Sequence, residues 1–151
     1  MKFLRVVHLD GSDRRIYDRV AEAGEWAVPG TFALWDLNPE TLAGPALQAF
    51  GHGFLGTASL GWASLVSVAE MGPEERERVV ERLTGHLVRG FGAPDAEAAR
   101  PVAEDEVDLT AGLCEHPPGT VIAVDREVTE EGIVESFRVV RHPRGPEAPF
   151  G

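Results

Sequence analysis

Short runs of β-forming residues near both ends of the chain, with helical periodicities between them, outline the expected architecture. Lys2 to Leu9 (KFLRVVHL) favours a strand, Asp10-Gly11-Ser12-Asp13 supplies turn residues, and Arg14 to Ala21 is a second extended run, so an opening hairpin is predicted. Glu25 to Val28 and Thr31 to Asp36 flank Pro29-Gly30, a pair suited to a type II turn because proline fixes one φ and glycine accepts a positive one. Two short strands are expected there. Asn38-Pro39-Glu40 reads as the cap and first turn of a helix reaching about Phe50, with Pro45 limiting its quality.

From Gly56 to Met71, Ala58, Leu60, Trp62, Val66 and Val68 alternate with Thr57, Ser59, Gly61, Ala63 and Ser67, which predicts one long strand bent near Gly61. A helix competes, but Gly61 and the serine, threonine and valine content weigh against it. The clearest helix runs from Pro73 to Arg89, with proline first, glutamates in the opening turns, Gly90 after its end, and an apolar face of Val79, Val80, Leu83, Leu87 and Val88. A second helical zone, 95–100 and then about 103–114, is divided by Pro101. Thr120 to Val128 and Ile133 to His142 form a closing hairpin around Glu130-Glu131-Gly132. Terminal hairpins with helices gathered between them predict a single α+β domain over residues 1–142, its largely antiparallel sheet carrying two or three helices. The segment 143–151, with three prolines, is expected to be a mobile tail.

Length and composition agree with one ordinary globular domain able to bury a core. A single cysteine, Cys114, rules out an intrachain disulfide, and the N-terminus lacks the long apolar run of a signal peptide, so the cytoplasm is the expected location. No stretch approaches the ~20 apolar residues of a membrane span. The formal charge of −11 disfavours nucleic acid. That charge is uneven: residues 1–20 and 138–151 each carry net +2, leaving −15 between them. Were the first and last strands neighbours, Arg5, Arg14, Arg15, Arg138 and Arg141 would form a basic patch, although solvated surface charge is the simpler reading.

Candidate chemistry is sparse. His8, His52, His86, His116 and His142 are dispersed, with no paired spacing that suits a metal, and no cofactor is expected. Cys114 and His116 lie close together in LCEHPPG, but a helix C-terminus and Glu115 are poor surroundings for a reactive thiolate, and burial is the plainer role for Cys114. Gly51-His52-Gly53-Phe54-Leu55-Gly56 is glycine-rich without the spacing of a nucleotide loop. Glu104-Asp105-Glu106 with Asp108 reads as a charged helix face. Trp26, Trp35 and Trp62 are expected mainly in the core, with a ligand groove or partner surface as the alternative.

The segments MKFLRVVHLD and EWAVPGTFALWD, together with the closing hairpin, resemble a family of short uncharacterised bacterial proteins across nearly the whole chain. The pattern of an opening hairpin, then a Trp-Ala-Val-Pro-Gly turn, then an aromatic strand is similar to that family. No catalytic motif defines that family; the resemblance implies a non-catalytic accessory role, loosely linked to molybdenum enzymes. The expected function is therefore protein binding without chemistry of its own, with a homodimer formed through the faces of the 56–71 strand. The alternative is a small enzyme or ligand-binding domain whose pocket lies near Trp62, His52, Cys114 and His116.

Overall fold

A computed structural model describes residues 1–143; the segment 143–151, expected to be a tail, lies outside them apart from Pro143. The strands are β1 (Lys2–Val6), β2 (Trp26–Val28), β3 (Phe54–Gly56), β4 (Trp62–Ala63), β5 (Leu65–Glu70), β6 (Val121–Thr129) and β7 (Gly132–Arg141). All join one antiparallel sheet in the order β4-β3-β2-β1-β5-β6-β7. Among the described residues four α-helices accompany it: α1 (Asp13–Ile16), α2 (Gly44–His52), α3 (Pro73–Gly90) and α4 (Ala96–Gly112). The fold is α+β, as the sequence pattern predicts. Among the described residues no helix is long and apolar enough to cross a membrane.

Although one face of β7 stays exposed, both faces of the sheet carry a core. On one, Phe3, Trp26, Val28 and Leu55 meet Val79, Val80, Leu83 and Leu87 of α3 and Ala99, Ala103 and Val107 of α4. On the other, Leu4, Val6, Ala27, Phe54, Val66, Val68, Ile122 and Val124 form a second core, with Phe137 against it. The sheet curls around this second core, bringing β6 back to the turns that follow β2 and precede β3: the Arg126 side chain on β6 reaches the Pro29 and Gly53 carbonyls. On β5 one face, Val66 and Val68, is buried by the chain itself, while Leu65, Ser67 and Ala69 on the other are only partly buried.

Several local expectations give way to longer-range contacts. The opening hairpin is absent because 14–21 does not pair with β1, whose neighbours are β2 and β5. Asp13 instead turns into α1 and accepts the Ser64 N–H at 3.1 Å, while the Tyr17 hydroxyl meets the Ser64 hydroxyl at 2.8 Å. Two side-chain anchors to Ser64 outweigh the weak β-propensity of the segment. Thr31–Ala33 is a 3-10 turn and not a strand, because Gly30, at φ 78°, turns the chain away from the sheet. A Cβ there would strike Leu55, so the position needs glycine for space as well as for conformation. Asn38 caps the next segment as expected, accepting the Glu40 N–H at 3.0 Å, yet only a 3-10 turn follows; α2 begins afresh at Gly44 with Pro45 in its first turn.

The expected 56–71 strand is interrupted twice: a tight turn in which Leu60 takes φ 58° and its N–H meets the Gly56 carbonyl separates β3 from β4, and Ser64, whose N–H donates to Asp13, separates β4 from β5. Pro101 does not divide α4. It forfeits one backbone hydrogen bond, but Ala99, Ala103, Val107 and Thr110 form a continuous buried stripe across it. Both α3 and the closing hairpin appear where the periodicity places them, although Val88 is partly exposed at the end of α3. β5 and β6 separate β1 from β7, so the basic residues of the two ends do not share neighbouring strands.

Candidate binding groove

The site begins with a charge inside the curl of the sheet. On β6, Ile122, Val124 and Arg126 share one face, and Arg126 pairs directly with Glu135 of β7. The Arg126 side chain is wholly buried. Its Nε donates to Glu135 Oε2 at 2.7 Å; Nη1 donates towards the carbonyls of Gly53 at 2.7 Å, Phe50 at 3.2 Å and Ala49 at 3.3 Å; Nη2 donates to Pro29. Three of those carbonyls close the C-terminal end of α2, where a cation also meets the negative end of the helix dipole. Burial pulls the Arg126 pKa below its ordinary value, and the bond to Glu135 opposes that pull.

Glu135 carries the network towards the outer face. Its Oε2 also accepts the Thr31 hydroxyl from the 3-10 turn. Beside it Glu106, on α4, accepts the Gly30 N–H at 3.4 Å. Burial raises the Glu106 pKa above the usual glutamate value; the Gly30 bond opposes this, Glu135 adds to it, and Arg126 offsets it in part. The Pro29-Gly30 turn thus serves as the hub: one carbonyl holds Arg126 and the next amide faces Glu106.

Above these carboxylates lies a groove between the 31–37 segment and the α3–α4 pair. Two adjoining lobes, about 620 and 390 Å³, share Phe32, Trp35, Leu87 and Val102. Phe32 meets Phe91 edge-on at 5.2 Å between ring centres, closing one end. Thr31, Glu106, Leu109 and Glu135 line the other lobe. Trp35 stands over both with 71% of its surface exposed, and Val102 and Leu109 are 52% and 54% exposed.

The residues singled out from the sequence do not converge here. Trp62 is half-buried and lines a cavity of about 300 Å³ with Leu34, Leu37 and Phe91. His52 lies at the end of α2, its Nδ1 3.1 Å from Asp125, and opens on a different small cavity with Ser64 and Arg138. Cys114 is buried after α4, its thiol directed at the Thr110 carbonyl at 3.3 Å; burial pushes its pKa up to about 11. The His116 carbonyl accepts from Lys2 Nζ at 2.8 Å. Among the described residues, no three of His, Cys, Asp and Glu gather as metal ligands would.

Of the groove residues, the sequence offers Trp35 alone as a groove or partner-surface candidate, and only as the alternative to a core role. Glu106 is grouped there with its acidic neighbours as surface charge, and Trp35 is placed on a strand. Arg126 and Glu135 do leave a signal: each interrupts an apolar alternation, Ile122-Val124-Val128 and Ile133-Phe137-Val139, and a hairpin turning at 130–131 sets them opposite each other. Comparison with known proteins finds no match among curated proteins and none among solved structures. A family model does match, over residues 1–147, and with nearly the whole chain inside that match the protein belongs to the family of unknown function DUF6505.

Proposed function

We propose that this protein is a non-catalytic binding protein that docks a segment of a partner polypeptide in the groove between the 31–37 turn and the α3–α4 pair. The observation that carries the reading is Trp35, more than two-thirds exposed beside half-exposed Val102 and Leu109 along one continuous depression. Apolar groups gathered in this way mark interaction surfaces, whereas scattered ones need no explanation. With Trp35, Val102 and Leu109 left largely in water along it, the groove favours a polypeptide over a small ligand, because small-molecule sites bury most of what they hold. An accessory role, beside molybdenum enzymes or elsewhere, requires such a surface and no reaction.

Self-association is a second reading with its own support: β7 ends the strand order, and among the described residues no strand pairs with its outer edge over ten residues. A copy adding its own β7 there would give a particle of twice 16.3 kDa by light scattering. An enzyme centred on Trp62, His52 and Cys114 has less support, since Trp62 and His52 open on separate cavities and the Cys114 thiol is held protonated at neutral pH.

Affinity capture from the native cell tests the docking reading. The wild-type protein is expected to retain a partner that the Trp35→Ala/Leu109→Ala variant loses. A partner held equally by both proteins places the interface elsewhere.

A further inference from the structure

The walls of the groove are apolar, but its charged lining has a single sign. Asp36, Asp105, Glu106 and Glu135 line the two lobes, and among the described residues no lysine, arginine or histidine does. Glu135 is neutralised from beneath by Arg126. Asp36, Asp105 and Glu106 are in no ion pair among the described residues, and Glu106 has only the long Gly30 amide contact. A carboxylate set into apolar walls is poorly screened by water and salt, so an arriving cation gains more there than on open surface. The exposed indole face of Trp35 is a second attraction for a cation.

Resting on the docking reading above, we infer that the partner segment inserts a lysine or arginine side chain into this groove, its stem along Phe32, Leu87 and Val102 and its cationic head against Glu106. The long apolar stems of these residues suit such walls, and their heads supply the missing charge. A purely apolar anchor would desolvate the carboxylates with no compensation, and an acidic anchor would be repelled. A second copy of a chain carrying −11 is a poor occupant on the same ground.

Two measurements test this and separate it from the docking reading. In the first, phenylpropylammonium, phenylpropanol and phenylpropionate are titrated while the Trp35 indole N–H resonance is followed. The ammonium compound is expected to bind roughly fivefold more tightly than the alcohol, with the carboxylate weakest. Glu106→Gln should bring the ammonium compound and the alcohol to within about twofold of each other, and Asp105→Asn, at the exposed rim, should reduce the preference less. Equal binding of ammonium and alcohol by the wild type overturns the cationic anchor and leaves the docking groove standing. No shift with any compound overturns both.

In the second, peptides are selected from a random display library on the wild type and on Trp35→Ala/Leu109→Ala. Groove-dependent peptides should carry lysine or arginine beside leucine, phenylalanine or tryptophan. Groove-dependent peptides without a basic residue overturn the inference. If the ammonium compound binds but no groove-dependent peptide is enriched, the cation belongs to a small molecule and the polypeptide source is overturned.

Discussion

Arg126 and Trp35 are tied to the same stretch of chain, residues 29 to 37, one bonded to its first carbonyl and the other part of it, and the fold treats them in opposite ways. Arg126 is a charge sealed from water, with an ion pair and four carbonyls around its guanidinium. Trp35 is a large apolar side chain left mostly in water, with room beneath it. A buried charge survives only where the fold supplies every partner, so the Arg126 cluster is explained from within the chain. Nothing within the described chain requires the exposure of Trp35 beside Val102 and Leu109, and its explanation lies in what binds there.

The severest test of this contrast removes the cation. Arg126→Met leaves the largely buried Glu135 without its counter-charge and takes a donor from four carbonyls, of which Ala49 keeps the Gly53 N–H, and should lower stability by about 3–5 kcal/mol in urea denaturation. A loss below about 1 kcal/mol would show that the cluster does not organise the fold. Adding Glu135→Leu should recover about 1–2 kcal/mol, because the stranded charge disappears with its partner. No recovery would put the weight on the carbonyls.

Glu106 sits between the two regimes. Its folded pKa is raised above the ordinary 4.5, so the folded state favours the protonated form, and the penalty for ionisation develops as pH climbs from that value through the raised one. Glu106→Gln should therefore raise Tm at pH 7, with the gain shrinking to nothing in acid below the ordinary glutamate value. A lower Tm at pH 7 would mean that the ionised carboxylate supports the fold. The smallest stability effect is expected at the groove: Trp35→Ala should change stability by no more than about 0.5 kcal/mol while abolishing partner capture. A large loss of stability would make Trp35 part of the core and remove the contrast.

What could be read from the sequence follows the range of the forces involved. Helix α3 and the β6–β7 hairpin announce themselves because periodicity, capping residues and turn chemistry are all local. The Pro29-Gly30 turn is legible for the same reason. The opening segment is not, since Asp13 and Tyr17 are held by Ser64, 51 and 47 residues away. Thr31 to Asp36 has strand-like residues, but its path is set by Gly30 and by the reach of Thr31 to Glu135, 104 residues on. The charge pair at the heart of the site was within reach, through the parity of Arg126 and Glu135 across the hairpin. The groove was not, because it exists only once the 31–37 turn lies against α3 and α4.

The five contacts of Arg126 also bear on how the chain reaches and leaves its native state. They draw together segments 9, 73, 76, 77 and 97 residues distant in sequence. Until those segments have converged, water is the better partner for the guanidinium, so its desolvation belongs late on the folding route. Substitution of Arg126 should accordingly speed unfolding far more than it slows folding. A single side chain then acts as the latch of the curled sheet, and the lifetime of the native molecule is set in large part by how seldom that latch opens.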